Sequence, residues 1–86
     1  MLITIESIKD KLHSTLSPDY LEVIDDSMLH QEHLDVEAGS VTHITIKISS
    51  QDLKSATKVA AHQMIYKTLK NEIDAGLHAI SIKIQQ

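Results

Sequence analysis

The feature that most constrains the fold of this chain is the stretch from Val41 to Ser49, whose side chains alternate between apolar and polar. Successive side chains of a β-strand point to opposite faces of its sheet, so the alternation predicts a strand with one buried and one solvated face. The buried face would carry Ile44, Ile46 and Ile48, and the solvated face His43, Thr45 and Lys47. A sheet built around this strand is expected to be covered by helices on one side only.

The residues before this stretch predict one helix and one further strand. Apolar side chains recur at spacings of three and four between Ile5 and Leu16, which indicates an amphipathic helix. Thr4 is its expected N-cap, and Ser17-Pro18 its expected end. A strand is predicted from Tyr20 to Asp25.

The residues after it predict a short turn over 50–53, a long helix from Ser55 to Ala75 that ends at Gly76, and a third strand from Leu77 to Ile84. The predicted buried stripe of the long helix consists of Val59, His62, Tyr66, Leu69 and Ile73. The order is therefore α-β-β-α-β, an α+β fold of two layers in which helices back a three-stranded sheet. A length of 86 residues fits a single domain over residues 1–86.

The composition excludes several classes of protein. With zero cysteines the chain has neither a disulfide nor a thiolate to offer a metal. All eight basic residues are lysines, and the net charge of −4 disfavours strong nucleic-acid binding. The only glycines, Gly39 and Gly76, are too far apart to form a Walker-type or Rossmann glycine pattern, and no nucleophile-elbow pattern occurs, so the chain is predicted not to be an enzyme. No apolar stretch approaches the about 18 residues of a membrane span, and a cytoplasmic location is expected.

Three of the six histidines are candidate metal ligands. His30 and His33 lie in the long polar stretch from Asp26 to Ser40, and two imidazoles three residues apart can converge on one metal ion. The same spacing also occurs by chance in exposed loops, so both interpretations stay open. His78 follows Gly76 at the start of the third strand, where its imidazole would emerge at the rim of the core as a ligand.

The other three histidines are given structural or surface roles. His13 lies off the apolar stripe of the first helix and is expected in solvent. His43 is expected on the solvated face of the second strand. His62 falls within the predicted buried stripe of the long helix, where a histidine is expected to be a hydrogen-bonded core residue.

Several linked motifs together resemble those of the BolA family. In chain order they are Leu21–Ser27, His30–His33, Gly39–Ile44, Ser49–Ser50, His62–Leu69 and Leu77–Ile80. Their order and spacing cover about two-thirds of the chain. The resemblance implies an α-β-β-α-β fold similar to class II KH domains. It also implies partnership with a monothiol glutaredoxin, with a [2Fe-2S] cluster shared between the two proteins and glutathione, in iron–sulfur trafficking or iron-dependent regulation.

The same resemblance implies the cluster ligands. By position His78 matches the family's C-terminal histidine ligand, and His30 matches the ligand of the loop between the first two strands, with His33 as its substitute. A glutaredoxin cysteine and a glutathione cysteine would supply two thiolates. Imidazole in place of thiolate lowers the negative charge on a cluster and raises its potential.

Some family members regulate transcription through their KH-like surface, which gives the alternative function of a nucleic-acid-binding regulator. Its phosphate contacts would be Lys54, Lys58, Lys67 and Lys70. Ala61 and Gln63 flank the helical histidine where the family usually has arginines, and this departure weakens the alternative. The sequence leaves open whether the free protein is a monomer or a homodimer.

Overall fold

The computed structural model describes residues 2–27 and 40–85. Three strands and four helices lie within these ranges. In chain order they are α1 (Ile5–Leu16), β1 (Tyr20–Asp25), β2 (His43–Ser49), α2 (Gln51–Lys54), α3 (Lys58–Thr68), α4 (Lys70–Ala75) and β3 (Ala79–Ile84). The predicted α+β order is confirmed, with the long second helix divided into two, α3 and α4, and with the short helix α2 in place of the turn predicted over 50–53.

The strand with the alternating sequence, β2, is the centre of the sheet. The strand order is β1-β2-β3, with β1 antiparallel and β3 parallel to β2. The register pairs Ile46 with Val23 on one side and with Ile82 on the other. Parallel neighbours need a crossover connection, which α2, α3 and α4 provide between β2 and β3.

The two faces of β2 differ as its alternation predicts. Ile44, Ile46 and Ile48 are buried in the core, whereas Thr45 and Lys47 on the other face are half-buried. Lys47 Nζ lies 3.9 Å from Glu22 Oε1 of the neighbouring strand. The helices therefore pack against the isoleucine face, and the opposite face carries polar side chains.

The first helix begins and ends where its sequence predicts. The Thr4 hydroxyl accepts a hydrogen bond from the Ser7 backbone N–H, which satisfies a donor at the helix start. Ser17 ends the helix in the left-handed region at φ 43°. The buried side chains of α1 are Ile8, Leu12 and Leu16, so the predicted stripe is confirmed with Ile5 half-buried at its margin.

The predicted long helix is wrong in both continuity and phase. Ser50 caps α2 and Thr57 caps α3, because each side-chain oxygen accepts a backbone N–H three residues further on. At Leu69 the backbone leaves helical geometry, at φ −103° and ψ 18°, and separates α3 from α4. Before α3 the cause is local, because Thr57 offers the backbone a capping partner that competes with helix continuation, whereas no side chain caps the start of α4.

The side chains that α3 and α4 bury differ from the predicted stripe. They are Ala61, Ile65, Leu69 and Glu72. Of the predicted members only Leu69 is buried; Val59 is 68% exposed, Tyr66 is exposed, and His62 and Ile73 are half-buried. The prediction favoured large apolar side chains, whereas the helix turns the small side chain of Ala61 towards the core.

A partly buried ion pair connects the first helix to the last. The Glu72 side chain is 0% exposed and the Lys11 side chain is 33% exposed; Glu72 Oε2 accepts a hydrogen bond from Lys11 Nζ. Within the described residues, Glu72 Oε1 has no hydrogen-bond partner. The one compensating charge for this buried carboxylate in that part of the chain is therefore Lys11.

None of the described helices has the length and apolar character to cross a membrane.

Candidate functional site

His78 stands at the entrance to β3, where a glycine turn delivers it. Gly76 adopts φ 131°, a conformation that strongly favours glycine, and ends α4. The His78 backbone N–H donates to the Thr42 carbonyl at 3.1 Å, which fixes the residue beside the start of β2. Its side chain is exposed at the rim of the core, as the sequence predicts.

The His78 imidazole is oriented by its own turn. Its Nδ1 lies 3.0 Å from the Gly76 carbonyl oxygen, which can only accept a hydrogen bond. The contact therefore places a proton on Nδ1, and in the neutral imidazole this tautomer carries its lone pair on Nε2. A carbonyl partner of this kind is the usual means by which metal-binding histidines are held in one tautomer.

A second histidine, His43, lies beside His78. Their ring centroids are 4.5 Å apart with the planes inclined at 76°, an edge-to-face contact. His43 Nδ1 is also 2.8 Å from the Thr42 hydroxyl oxygen. The prediction that His43 is a solvated surface residue is wrong, since its side chain is buried.

The burial of His43 follows from the neighbours that cover the start of β2. Parallel register places His43 opposite Ala79, immediately after His78. On the other side the Asp26 backbone N–H donates to the His43 carbonyl at 2.8 Å, and the Ser27 hydroxyl accepts from the backbone of residues 42 and 43. Alternation alone places His43 on the outer face but does not show that other segments cover that end of the strand.

The two imidazoles share an open groove of about 620 Å³. Besides His43, His78 and the first residues of β3, the groove is lined by Asp26 and Tyr66. The Thr45 hydroxyl donates to Asp26 Oδ2 at 2.6 Å, which positions that carboxylate. The groove therefore combines imidazole, carboxylate and phenol groups at one end of the sheet. Sequence analysis did not identify Asp26 or Tyr66 as members of this site.

The predicted loop ligands, His30 and His33, lie outside the described residues. The nearest described residues on either side of these histidines are Ser27 and Ser40. The Ser27 hydroxyl accepts the His43 N–H at 3.3 Å, so the chain leaves the described part next to the groove.

The described residues do not hold a complete metal site. No group of three or more His, Cys, Asp or Glu side chains in residues 2–27 and 40–85 is arranged to hold a metal ion. A metal centre at His78 with three or more ligands of these types would therefore need at least one of them from residues beyond those ranges or from another molecule.

The remaining histidines lie away from this groove. His13 is exposed on α1, as expected. His62, predicted as a core residue, is instead half-buried and lines a second groove of about 430 Å³ with Lys58 and Lys83. Because α3 turns Ala61 and not the predicted stripe towards the core, His62 lies at the margin of the buried face of the helix.

The lysines proposed to contact phosphates are not equivalent. Lys54 Nζ lies 3.5 Å from Asp19 Oδ2, and Lys70 Nζ lies 2.9 Å from Asp74 Oδ2. Lys58 and Lys67 have no carboxylate within ion-pair distance among the described residues. Carboxylates near two of the four lysines reduce the positive potential of this surface.

We expect the contact between His43 and His78 to couple the two side chains energetically. In a double-mutant cycle with His43→Ala and His78→Ala, the coupling free energy should be about 0.5–1.5 kcal/mol, the value of an aromatic pair beyond its buried area. Urea denaturation of the four proteins measures it. His13→Ala, at an exposed position, is the matched control and should show no coupling to His78→Ala; additive effects of the first pair would contradict the contact.

The chain is similar to proteins of one family. The family profile described as BolA-like protein matches residues 12–86. The DNA-binding transcriptional regulator BolA of Escherichia coli is 34% identical over 77 residues, which cover 90% of this chain and 70% of that protein. Two solved structures from Arabidopsis thaliana also match this chain closely. For BolA1 the TM-score is 0.83 and the sequence identity 30%, and the match covers 99% of this chain and 93% of BolA1. For the BolA domain of SufE1 the TM-score is 0.81 and the sequence identity 35%, and the match covers 93% of this chain and 87% of that domain.

Proposed function

This chain belongs to the BolA-like protein family, and on that premise we propose that it partners a monothiol glutaredoxin and co-ligates a [2Fe-2S] cluster through histidines. The observation that carries the proposal is the geometry of His78. Its imidazole is exposed at the rim of the sheet while Nδ1 is held by the Gly76 carbonyl. The cluster would serve iron–sulfur trafficking or iron-dependent regulation.

The donor set of this chain fits a cluster that already has thiolate ligands. A [2Fe-2S] cluster needs four protein or cofactor ligands, and the chain has no cysteine. In the proposed complex a glutaredoxin cysteine and the cysteine of glutathione supply two thiolates, and this chain supplies two imidazoles. Histidine ligation of this kind lowers the negative charge of the cluster and raises its reduction potential.

The second imidazole is proposed to be that of His30, with His33 as its substitute. Support comes from the described residues that flank this segment. Ser27 hydrogen-bonds to the backbone of His43, whose ring contacts His78, so the segment starts beside the groove. His43 itself is buried, and its Nδ1 is engaged with Thr42; we therefore assign it to positioning His78.

The proposal is tested by mixing the chain with a monothiol glutaredoxin carrying its glutathione-ligated cluster and recording visible absorption and circular dichroism. We expect a spectrum different from that of the glutaredoxin alone, because two imidazoles replace two thiolate ligands of the cluster. A mixture whose spectrum equals the sum of its components would contradict the proposal.

Separate substitutions identify the loop ligand. His30→Ala should remove most of the spectral change in the mixture, whereas His33→Ala should leave it largely intact, since His30 lies closer along the chain to the groove. Titration of cluster-loaded glutaredoxin with each variant measures the change. Loss of the signal in His33→Ala alone would assign the ligand to His33, and an unchanged signal in the double variant His30→Ala/His33→Ala would exclude both histidines as ligands.

The second candidate function is a nucleic-acid-binding regulator. It is favoured by the similarity to a protein named as a DNA-binding transcriptional regulator, and by Lys58 and Lys67, which lack an ion-pair partner in the described part of the chain. DNA affinity that falls steeply with salt, is lost in Lys58→Glu/Lys67→Glu and survives His78→Ala would support this function.

A further inference from the structure

Tyr66 lies between the groove that contains His78 and a neighbouring surface of α3 and α4. It is 42% exposed and lines the groove together with His78 and Asp26. It also lines a shallow depression of about 410 Å³ with Gln63, Lys67 and Lys70. We call these four residues, Gln63, Tyr66, Lys67 and Lys70, the Tyr66 surface.

Tyr66 is 42% exposed, and no hydrogen bond within the described residues holds its hydroxyl at the surface. The chain has two tyrosines and neither Phe nor Trp. Tyr20, which is 44% exposed, donates its hydroxyl hydrogen to Glu22 Oε1 at 3.0 Å, whereas the Tyr66 hydroxyl has no such bond within residues 2–27 and 40–85. Tyr20 also lies at the other end of the sheet, because it pairs with Ser49 at the end of β2 opposite to His43.

On the side of Tyr66 away from Asp26, the charged side chains of the Tyr66 surface are both lysines. The net charge is −4, yet Lys67 and Lys70 flank the ring. Lys67 has no carboxylate in ion-pair distance among the described residues, and the ion pair of Lys70 with Asp74 is exposed on both sides. An exposed pair of this kind is worth little and leaves Lys70 available to a second carboxylate.

From this arrangement we infer that the Tyr66 surface is the docking site for the thiol-bearing protein that reaches His78, with Tyr66 as its anchor. The inference rests on the proposed function, since it names the surface that the cluster-sharing partner would contact. Tyrosine is enriched among residues that dominate binding free energy, because it buries a large rigid ring with a hydroxyl at its end. Charge complementarity requires the partner to present carboxylates around an apolar pocket that receives the ring.

The experiment measures association of the full chain with a monothiol glutaredoxin, without cluster and in the presence of glutathione, by isothermal titration calorimetry. Tyr66→Ala should weaken binding about tenfold or more, the effect of truncating a central anchor. Tyr20→Ala removes an equally exposed ring at the other end of the sheet and should leave the affinity unchanged. Circular dichroism of each variant checks that the fold is retained, and Tyr66→Phe should recover most of the affinity if the ring is the anchor.

The charge requirement is tested separately. Lys67→Glu should weaken binding and reduce its dependence on salt, because one attractive pair becomes repulsive. Lys9→Glu makes the same charge change at an exposed position of α1 and is the control. Equal effects of the two variants would indicate a general charge effect and overturn the inference that the partner presents carboxylates to the Tyr66 surface.

The outcomes separate this inference from the proposed function. If Tyr66→Ala binds like the wild type, the inference is overturned even when the mixed cluster forms. If apo association depends on Tyr66 but no mixed cluster forms, the docking surface stands and co-ligation fails. Absence of any association, or a loss of DNA affinity in Tyr66→Ala with unchanged glutaredoxin affinity, overturns the inference.

Discussion

Replacing His78 with alanine is expected to abolish the spectral change that the chain produces in cluster-loaded glutaredoxin. The reason is that the proposed ligand is lost while its surroundings remain. The side chain is exposed, so its removal leaves no cavity in the core, and the His78 backbone N–H can still donate to the Thr42 carbonyl. The visible circular dichroism of the mixture should return to that of the glutaredoxin alone.

Two variants make this result specific. His13→Ala removes an exposed imidazole from α1 and should leave the spectrum of the mixture unchanged. Tyr66→Ala should affect how much complex forms at a given concentration, but not the spectrum of the complex at saturation. A wild-type spectrum from His78→Ala at saturating concentration would show that this imidazole is not a ligand.

The largest effect on stability is expected from breaking the ion pair between Lys11 and Glu72. Lys11→Met should lower the free energy of unfolding at neutral pH, because it leaves a buried carboxylate without a compensating charge. Breaking a fully buried pair costs about 3–5 kcal/mol, and the 33% exposure of the Lys11 side chain places this loss at about 3 kcal/mol or below. The Glu72 side chain is 0% exposed, and its Oε1 already lacks a hydrogen-bond partner in the described residues. Urea denaturation followed by far-ultraviolet circular dichroism measures the change.

A second substitution distinguishes an unpaired charge from lost packing. The double variant Lys11→Met/Glu72→Leu should recover most of the lost stability, since replacing both members of a buried pair with apolar side chains is often neutral. Lys70→Met breaks an exposed pair and should cost about 1 kcal/mol or less. If Lys11→Met costs no more than Lys70→Met, the buried pair does not contribute as the structure indicates.

Local sequence patterns were sufficient to predict those helices and strands whose signals lie within their own consecutive residues. The helix from Ile5 to Leu16 has a clear apolar stripe, a Thr cap and a proline stop, and its bounds are confirmed. The alternation of β2 correctly assigns its three isoleucines to the core. In both cases the signal is contained in consecutive residues and needs no knowledge of what packs against them.

The phase of α3 could not be predicted in the same way. Its apolar residues are spread around the helix, so size alone suggested Val59 and Tyr66 for the core. The structure buries Ala61 and Glu72 instead. A small side chain shortens the distance between helix and sheet, and a carboxylate enters the core because Lys11 of another helix pairs with it. Both reasons depend on tertiary contacts.

The residues of the candidate site show the same difference between local patterns and tertiary contacts. The position of His78 after a glycine at a strand start was enough to place it at the rim. The neighbourhood of His43 depends on the register between β2 and β3, which no local pattern specifies. The exposure of Tyr66 beside the same groove depends on the rotation of α3, and was missed for that reason.

The most direct test of the central claim, that His78 ligates an iron of a shared cluster, is pulsed electron paramagnetic resonance of the reduced mixed complex, with this chain labelled with ¹⁵N at histidine. We expect strong coupling of the electron spin to labelled histidine nitrogen, and His78→Ala should remove the coupling from its imidazole. A fully formed complex without coupling to labelled histidine, or with the same coupling in His78→Ala, would show that His78 does not ligate the cluster.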